Sequence, residues 1–205
     1  MSNTNTAFGL RPIGITGSAP NSMGMTAYQI ASNNTDKIWQ GTVVVGSAAG
    51  VIVRGSATGT EQNPVGVFMG CRFVDAVSRE PKWSPFWPGG GANADHPITA
   101  YVVDNPMASF LVAANASFAS AAAKQAAVFA NANLASNTAG VDATGMSSAV
   151  LDVSSLNTTA NHLLRVIGFS DDDDNNDIDS AGVGVIVRFN RHFNLPVGNT
   201  TGLHA

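Results

Sequence analysis

The sequence predicts a mainly β protein: an antiparallel β-barrel or sandwich with an extended N-terminal arm and at most one or two short helices. Three observations carry this. Short runs rich in Val, Ile, Phe and Tyr recur along the chain. Clusters of Gly, Asn, Ser and Asp separate them, as turns separate strands. Only one stretch, rich in alanine, suits a helix.

Residues 1–24 are polar and punctuated by Gly and Pro, which predicts an extended arm with little structure of its own. Phe8, Leu10 and Ile13 are apolar there, which a merely solvated tail does not need. MTAYQIA (25–31) alternates as a strand does, and Asn33-Asn34 turns the chain. TVVVG (42–46) and VIVRG (51–55) flank Ala49-Gly50 and read as a hairpin of β-branched strands. A loop at 55–64 leads to VGVFMGCRFV (65–74), where Gly66 and Gly70 mark bulges or close backbone approach.

Beyond it, ITAYVVD (98–104) and SFLVAAN (109–115) read as strands around Asn105-Pro106. A short helix is expected within 118–134, then a loop at 135–149. AVLDVSSL (149–156) looks strand-like, NHLLRVIGFS (161–170) more clearly so, and GVGVIVRFNRHF (182–193) is the last strand. Strands fall on both sides of the polar seam near 135–148, so residues 25–196 read as one domain and 197–205 as a loose tail.

Composition narrows the function. Only 12% of residues are charged, against about 25% in ordinary soluble chains, which suits a rigid scaffold. The formal net charge is −4 and the basic residues are scattered, which argues against a nucleic-acid partner. No apolar run approaches the ~18 residues of a membrane span, and the N-terminus has no secretory pattern, so no membrane association is expected. Cys71 is the one cysteine, which excludes an intrachain disulfide; a buried small hydrophobe is the plain reading.

Chemical motifs are sparse. The acidic loop 171–180 offers Asp171, Asp173 and Asp177 as calcium ligands, but EF-hand spacing fails: Asn176 stands where Gly is required and Gly182 where Glu is. A hairpin tip solvated by its own charge is the plainer reading. The four histidines form no HExxH pattern, and no G-x-S-x-G marks a serine nucleophile. The expectation is no catalysis, no metal and no cofactor; a metal-dependent hydrolase built on the acidic loop is the minor rival.

The segment 81–91, PKWSPFWPGGG, is the informative one. Its prolines lock φ and remove ladder donors, so it reads as a stiff excursion from the sheet. Trp83, Phe86 and Trp87 then either seal the protein's own core, present an apolar surface to another protein, or form a sugar-stacking platform.

AFGLRPIG, PVGVFMGCRFVDA, WSPFWP, AYVVDNPMASFLV and LLRVIGFSDDDDN occur in this order from about residue 7 to 192. Together they resemble a family of small virion proteins of tailed phages, some of them similar to capsid decoration (head cement) proteins. GTVVVGSAAGVIVRG followed by NPVGVFMGC is also similar to the small β-barrel of lambda-like decoration proteins; the alanine-rich 118–134 segment departs from that pattern. The resemblance implies a non-catalytic protein on the outer surface of an icosahedral head. Its partners would be the major capsid protein and copies of itself, in a homotrimer. The expected contacts are the arm, with Phe8, Leu10, Arg11 and Ile13, and the aromatic loop, with Trp83, Phe86 and Trp87. On this reading, truncating residues 2–14 weakens capsid binding without unfolding the domain. The alternative is a minor tail or spike component that binds carbohydrate through Trp83 and Trp87.

Overall fold

A computed structural model describes residues 3–17, 24–59 and 62–195. The loose tail expected at 197–205 and parts of the N-terminal arm lie outside the described residues. Strands are β1 (Arg11–Ile15), β2 (Thr26–Ile30), β3 (Val43–Gly46), β4 (Ile52–Arg54), β5 (Pro64–Val74), β6 (Pro81–Ser84), β7 (Ile98–Val103) and β8 (Ala108–Ala113). After the short helix α1 (Ala121–Ala126) come β9 (Asn131–Ala132), β10 (Gly140–Val141), β11 (Met146–Ser147), β12 (Leu164–Phe169) and β13 (Gly184–Phe189).

The strands form two antiparallel sheets and a small ribbon. One sheet runs β1-β8-β13-β12-β9. The other runs β2-β7-β5-β3-β4, with β6 paired to the far end of β5. Among the described residues neither sheet closes on itself, so the architecture is a sandwich rather than a barrel. Inward side chains of both sheets meet in one core: Val43, Val67 and Val103 from one, and Phe110, Val112, Leu164, Val166, Val185 and Val187 from the other. Period-2 alternation of buried Val and Phe along β8 and β13 produces that face.

The second sheet is covered on its other face too. Ile98, Ala100 and Val102 of β7 and Phe68, Cys71 and Phe73 of β5 point away from the first core. They pack with Ile30, Ile38, Val44, Ile52 and Trp87 in a second cluster. Gly66 permits the tight strand pairing: a Cβ there would lie 2.2 Å from the Val103 carbonyl oxygen.

The structure alters several expectations. The arm has structure of its own. β1 is the edge strand of the first sheet, with Arg11 opposite Leu111 and Pro12 opposite Phe110. Phe8 and Leu10 are buried, Leu10 at 1% exposure within the main core. The backbone N–H of Leu10 donates to the Gly41 carbonyl and that of Gly9 to Ala149. Within residues 3–14 the chain therefore supplies an edge strand to the first sheet and Leu10 to the main core.

Residues 149–156 do not form a strand. Leu151 makes isolated bridges to Ala114 and Leu134, and Val153–Ser155 is a 3-10 turn capped by Asp152. The predicted loop at 135–149 contains the β10–β11 ribbon. The helix shrinks to α1, started by Ser120, whose hydroxyl accepts the Ala123 N–H; none of its residues is buried. Asn131 ends the alanine run and joins the sheet in β9, and the Asn133 side chain accepts the Leu163 N–H.

Candidate functional site

The aromatic segment is part of the sheet at its start. β6 pairs with β5, Val74 opposite Pro81 and Cys71 opposite Ser84. Proline is compatible with this because Pro81 is the first residue of a strand at an open position. The turn before it is closed by Asp75. Its carboxylate accepts the backbone N–H groups of Val77 and Ser78 and pairs with the Lys82 ammonium. The Lys82 hydrogen bond, then those backbone donors, hold this carboxyl well below the usual carboxylate range.

With β6 in register, Trp83 stands opposite Arg72 and beside Gly70. Gly70 has no side chain, so the indole lies across β5 and stacks on Tyr101 of β7, centroids 5.4 Å apart and planes 16° from parallel. Gly70 has φ +143, and a Cβ there would come within 3.0 Å of the Ser84 carbonyl oxygen. The Arg72 guanidinium carbon sits 5.8 Å from the indole centroid. Trp83 nevertheless keeps 68% of its surface exposed, and Met25 beside it keeps 55%. Met25, Met69, Gly70, Trp83, Pro85 and Tyr101 line a shallow groove of about 390 Å³.

Beyond Ser84 the chain turns over the sheet edge. The Ser84 hydroxyl donates to the Phe86 carbonyl, and Pro85 fills the space left by Gly145. Trp87 then enters the second core from the opposite face. It is fully buried, meets Phe73 edge-on at 5.5 Å, and donates its indole N–H to the Asn34 carbonyl at 3.2 Å. Reciprocal backbone hydrogen bonds with Ile38 fix it there. The proline-rich box thus sends two tryptophans to opposite faces of one sheet, one into the core and one into solvent.

The expected contact residues divide accordingly. Phe8, Leu10 and Trp87 belong to the chain's own core, and Phe86 is half-buried. Trp83, Arg11 and Ile13 are exposed, Ile13 at 42%. Arg11 lies on the other sheet, its guanidinium 4.7 Å from the Phe8 ring centroid. Tyr101, Met25 and Gly70 complete the platform; sequence reasoning did not connect them because cross-strand register is invisible there.

The acidic loop has a structural task. Its buried Asn175 accepts the backbone N–H groups of Thr4 and Asn5 at 2.9 and 2.7 Å, clasping the arm. Asp172 caps the 3-10 turn Asp173–Asn175. Asp177 accepts the Asp179 N–H and contacts the Ser180 hydroxyl, while Asp171 and Asp173 face solvent. Among the described residues no three His, Cys, Asp or Glu side chains are grouped to hold a metal ion. Burial pushes the Cys71 thiol up to about 12, so it is protonated near neutral pH. No helix among the described residues is long and apolar enough to cross a membrane.

No family model, curated protein or solved structure matches the chain.

Proposed function

We propose that this chain is a phage capsid decoration, or cement, protein: it binds the outer surface of an icosahedral head, bridges major capsid protein subunits and stabilises the shell without catalysis. The observation that supports this reading most is Trp83, 68% exposed yet held flat by its stack on Tyr101. An exposed tryptophan with a fixed ring loses little entropy on docking and buries a large area, which is how interface anchors work. Around it, Met25, Met69 and Pro85 give the groove an apolar wall suited to a protein surface. The second core beneath the sheet, anchored by Trp87, stiffens the platform.

The mechanism is mass action. A protein that binds the assembled shell and not the free subunit stabilises the shell by its binding free energy at each site. Bridging two subunits adds avidity. A sugar platform made of both tryptophans would require an exposed Trp87, and Trp87 is buried.

The test is co-sedimentation with expanded heads stripped of this protein. Trp83→Ala should bind at least about tenfold more weakly than the wild type, as expected for an interface anchor. Unchanged head affinity removes the platform from the contact. Binding to glycans in place of heads favours the tail or spike alternative.

A further inference from the structure

We propose that the Trp83 platform takes an extended acidic segment of the head protein, one that carries a carboxylate two residues from a large apolar side chain. The inference rests on the head-binding reading and names the partner's chemistry at that same site.

Register sets a polar row beside the aromatic groove. Gln29 of β2 stands opposite Thr99 of β7, Thr99 opposite Arg72 of β5, and Arg72 opposite Trp83 of β6. Directly opposed residues share a face of the sheet. This row therefore alternates with Cys71, Phe73, Ile98 and Ala100, which point the other way into the second core. Gln29, Arg72 and Trp83 are exposed, and Thr99 is half-buried. Among the described residues the side chains of Gln29, Thr99 and Arg72 make no hydrogen bond and no ion pair. Arg72 is the unbalanced base of its sheet: Lys82 pairs with Asp75 and Arg54 with Asp36. No strand of this sheet contains Asp or Glu, and Asp104, the residue after β7, accepts the Tyr28 hydroxyl at 2.7 Å.

These facts set what a partner must bring. A surface that docks on Trp83 also covers Arg72, whose guanidinium carbon is 5.8 Å from the indole centroid. A purely apolar partner would fill the groove and leave that charge desolvated and unpaired, which is costly. A carboxylate removes the cost, because it accepts two N–H groups of a guanidinium at once. Thr99 and Gln29, next along the row, add a hydroxyl and an amide for the polar backbone of the incoming segment. The spacing follows from the same geometry. Side chains two residues apart on one face of an extended segment are about 6.7 Å apart. That matches the separation of Arg72 from the Trp83 ring, so an acid reaches the first while its apolar neighbour two residues along packs in the groove.

Co-sedimentation with stripped, expanded heads, repeated across salt, tests this. Arg72→Gln should weaken binding at least about tenfold at about 0.1 M salt and flatten its salt dependence. Arg72→Lys keeps the charge but not the planar fork, so it should recover only part of the loss. Arg79→Gln makes the same charge change in the exposed turn after β5 and should bind as the wild type does. Thermal unfolding checks the folding of each variant; if Arg72→Gln does not fold, Arg72→Lys and the wild-type salt dependence carry the test. Heads that bind the wild type and Arg72→Gln equally overturn the acidic segment and leave the head-binding reading standing. So does an equal loss in Arg79→Gln, which would report net charge alone. A wild type that does not bind heads overturns both, and one that binds carboxylated glycans in their place gives the row to a sugar and also overturns the proposal.

Discussion

Trp83 and Trp87 stand on the same proline-rich box, and their surroundings give them opposite energetic roles. Trp87 is enclosed by Phe73, Ile38 and the second core, so truncation leaves a large cavity and an unpaired Asn34 carbonyl. Trp87→Ala should cost about 3–5 kcal/mol. In a domain of this size that lowers Tm by roughly 10 °C, read by thermal unfolding. Trp83→Ala loses the Tyr101 stack, about 0.5–1.5 kcal/mol, with the solvent-exposed Arg72 contact, and should lower Tm by a few degrees. Equal losses would contradict the division of roles. The sequence leaves three readings of the box open, core seal, apolar surface for another protein and sugar platform; the structure buries Trp87 and exposes Trp83. The choice was not legible because it depends on Gly70, which lets Trp83 cross β5, and on the register that sets Tyr101 beside it.

At the scale of elements, strands with a steady period of two were readable: β2, β3, β4, β7, β12 and β13 fall within the segments expected from alternation and turn residues, and β5 and β8 begin one residue before theirs. Elements held by long-range partners were not. β1 carries Gly and Pro and looks like an arm, yet β8 supplies its ladder and the core encloses Leu10. β6 begins with a proline that argues against a strand until an open edge is known. Residues 149–156 alternate like a strand, yet their segment bridges other elements through single residues such as Leu151. Deleting residues 2–14 should therefore abolish the cooperative unfolding transition rather than merely weaken docking. Leu10 alone accounts for about 2–5 kcal/mol, and the deletion exposes the β8 edge as well. A soluble deletion variant with a wild-type melting curve would show that the arm is dispensable to the fold.

For the whole molecule, low charge, a two-sided core under one sheet and an arm clasped by the acidic loop describe a rigid unit with different outer surfaces. One sheet carries an exposed tryptophan stacked on Tyr101, and the strands of the other contain arginine but no Asp or Glu. Such a unit suits repeated docking on a symmetric surface, where many copies add small contributions. The fold class was legible from composition and periodicity. The platform of Trp83, Tyr101 and Met25 was not, because it combines residues brought together only by strand order. The head-binding account is tested most directly by the copy number of this chain relative to the major capsid protein in purified virions, by quantitative mass spectrometry. The account predicts a near-stoichiometric ratio. A ratio of a few per cent or less, or absence from the particle, would contradict it.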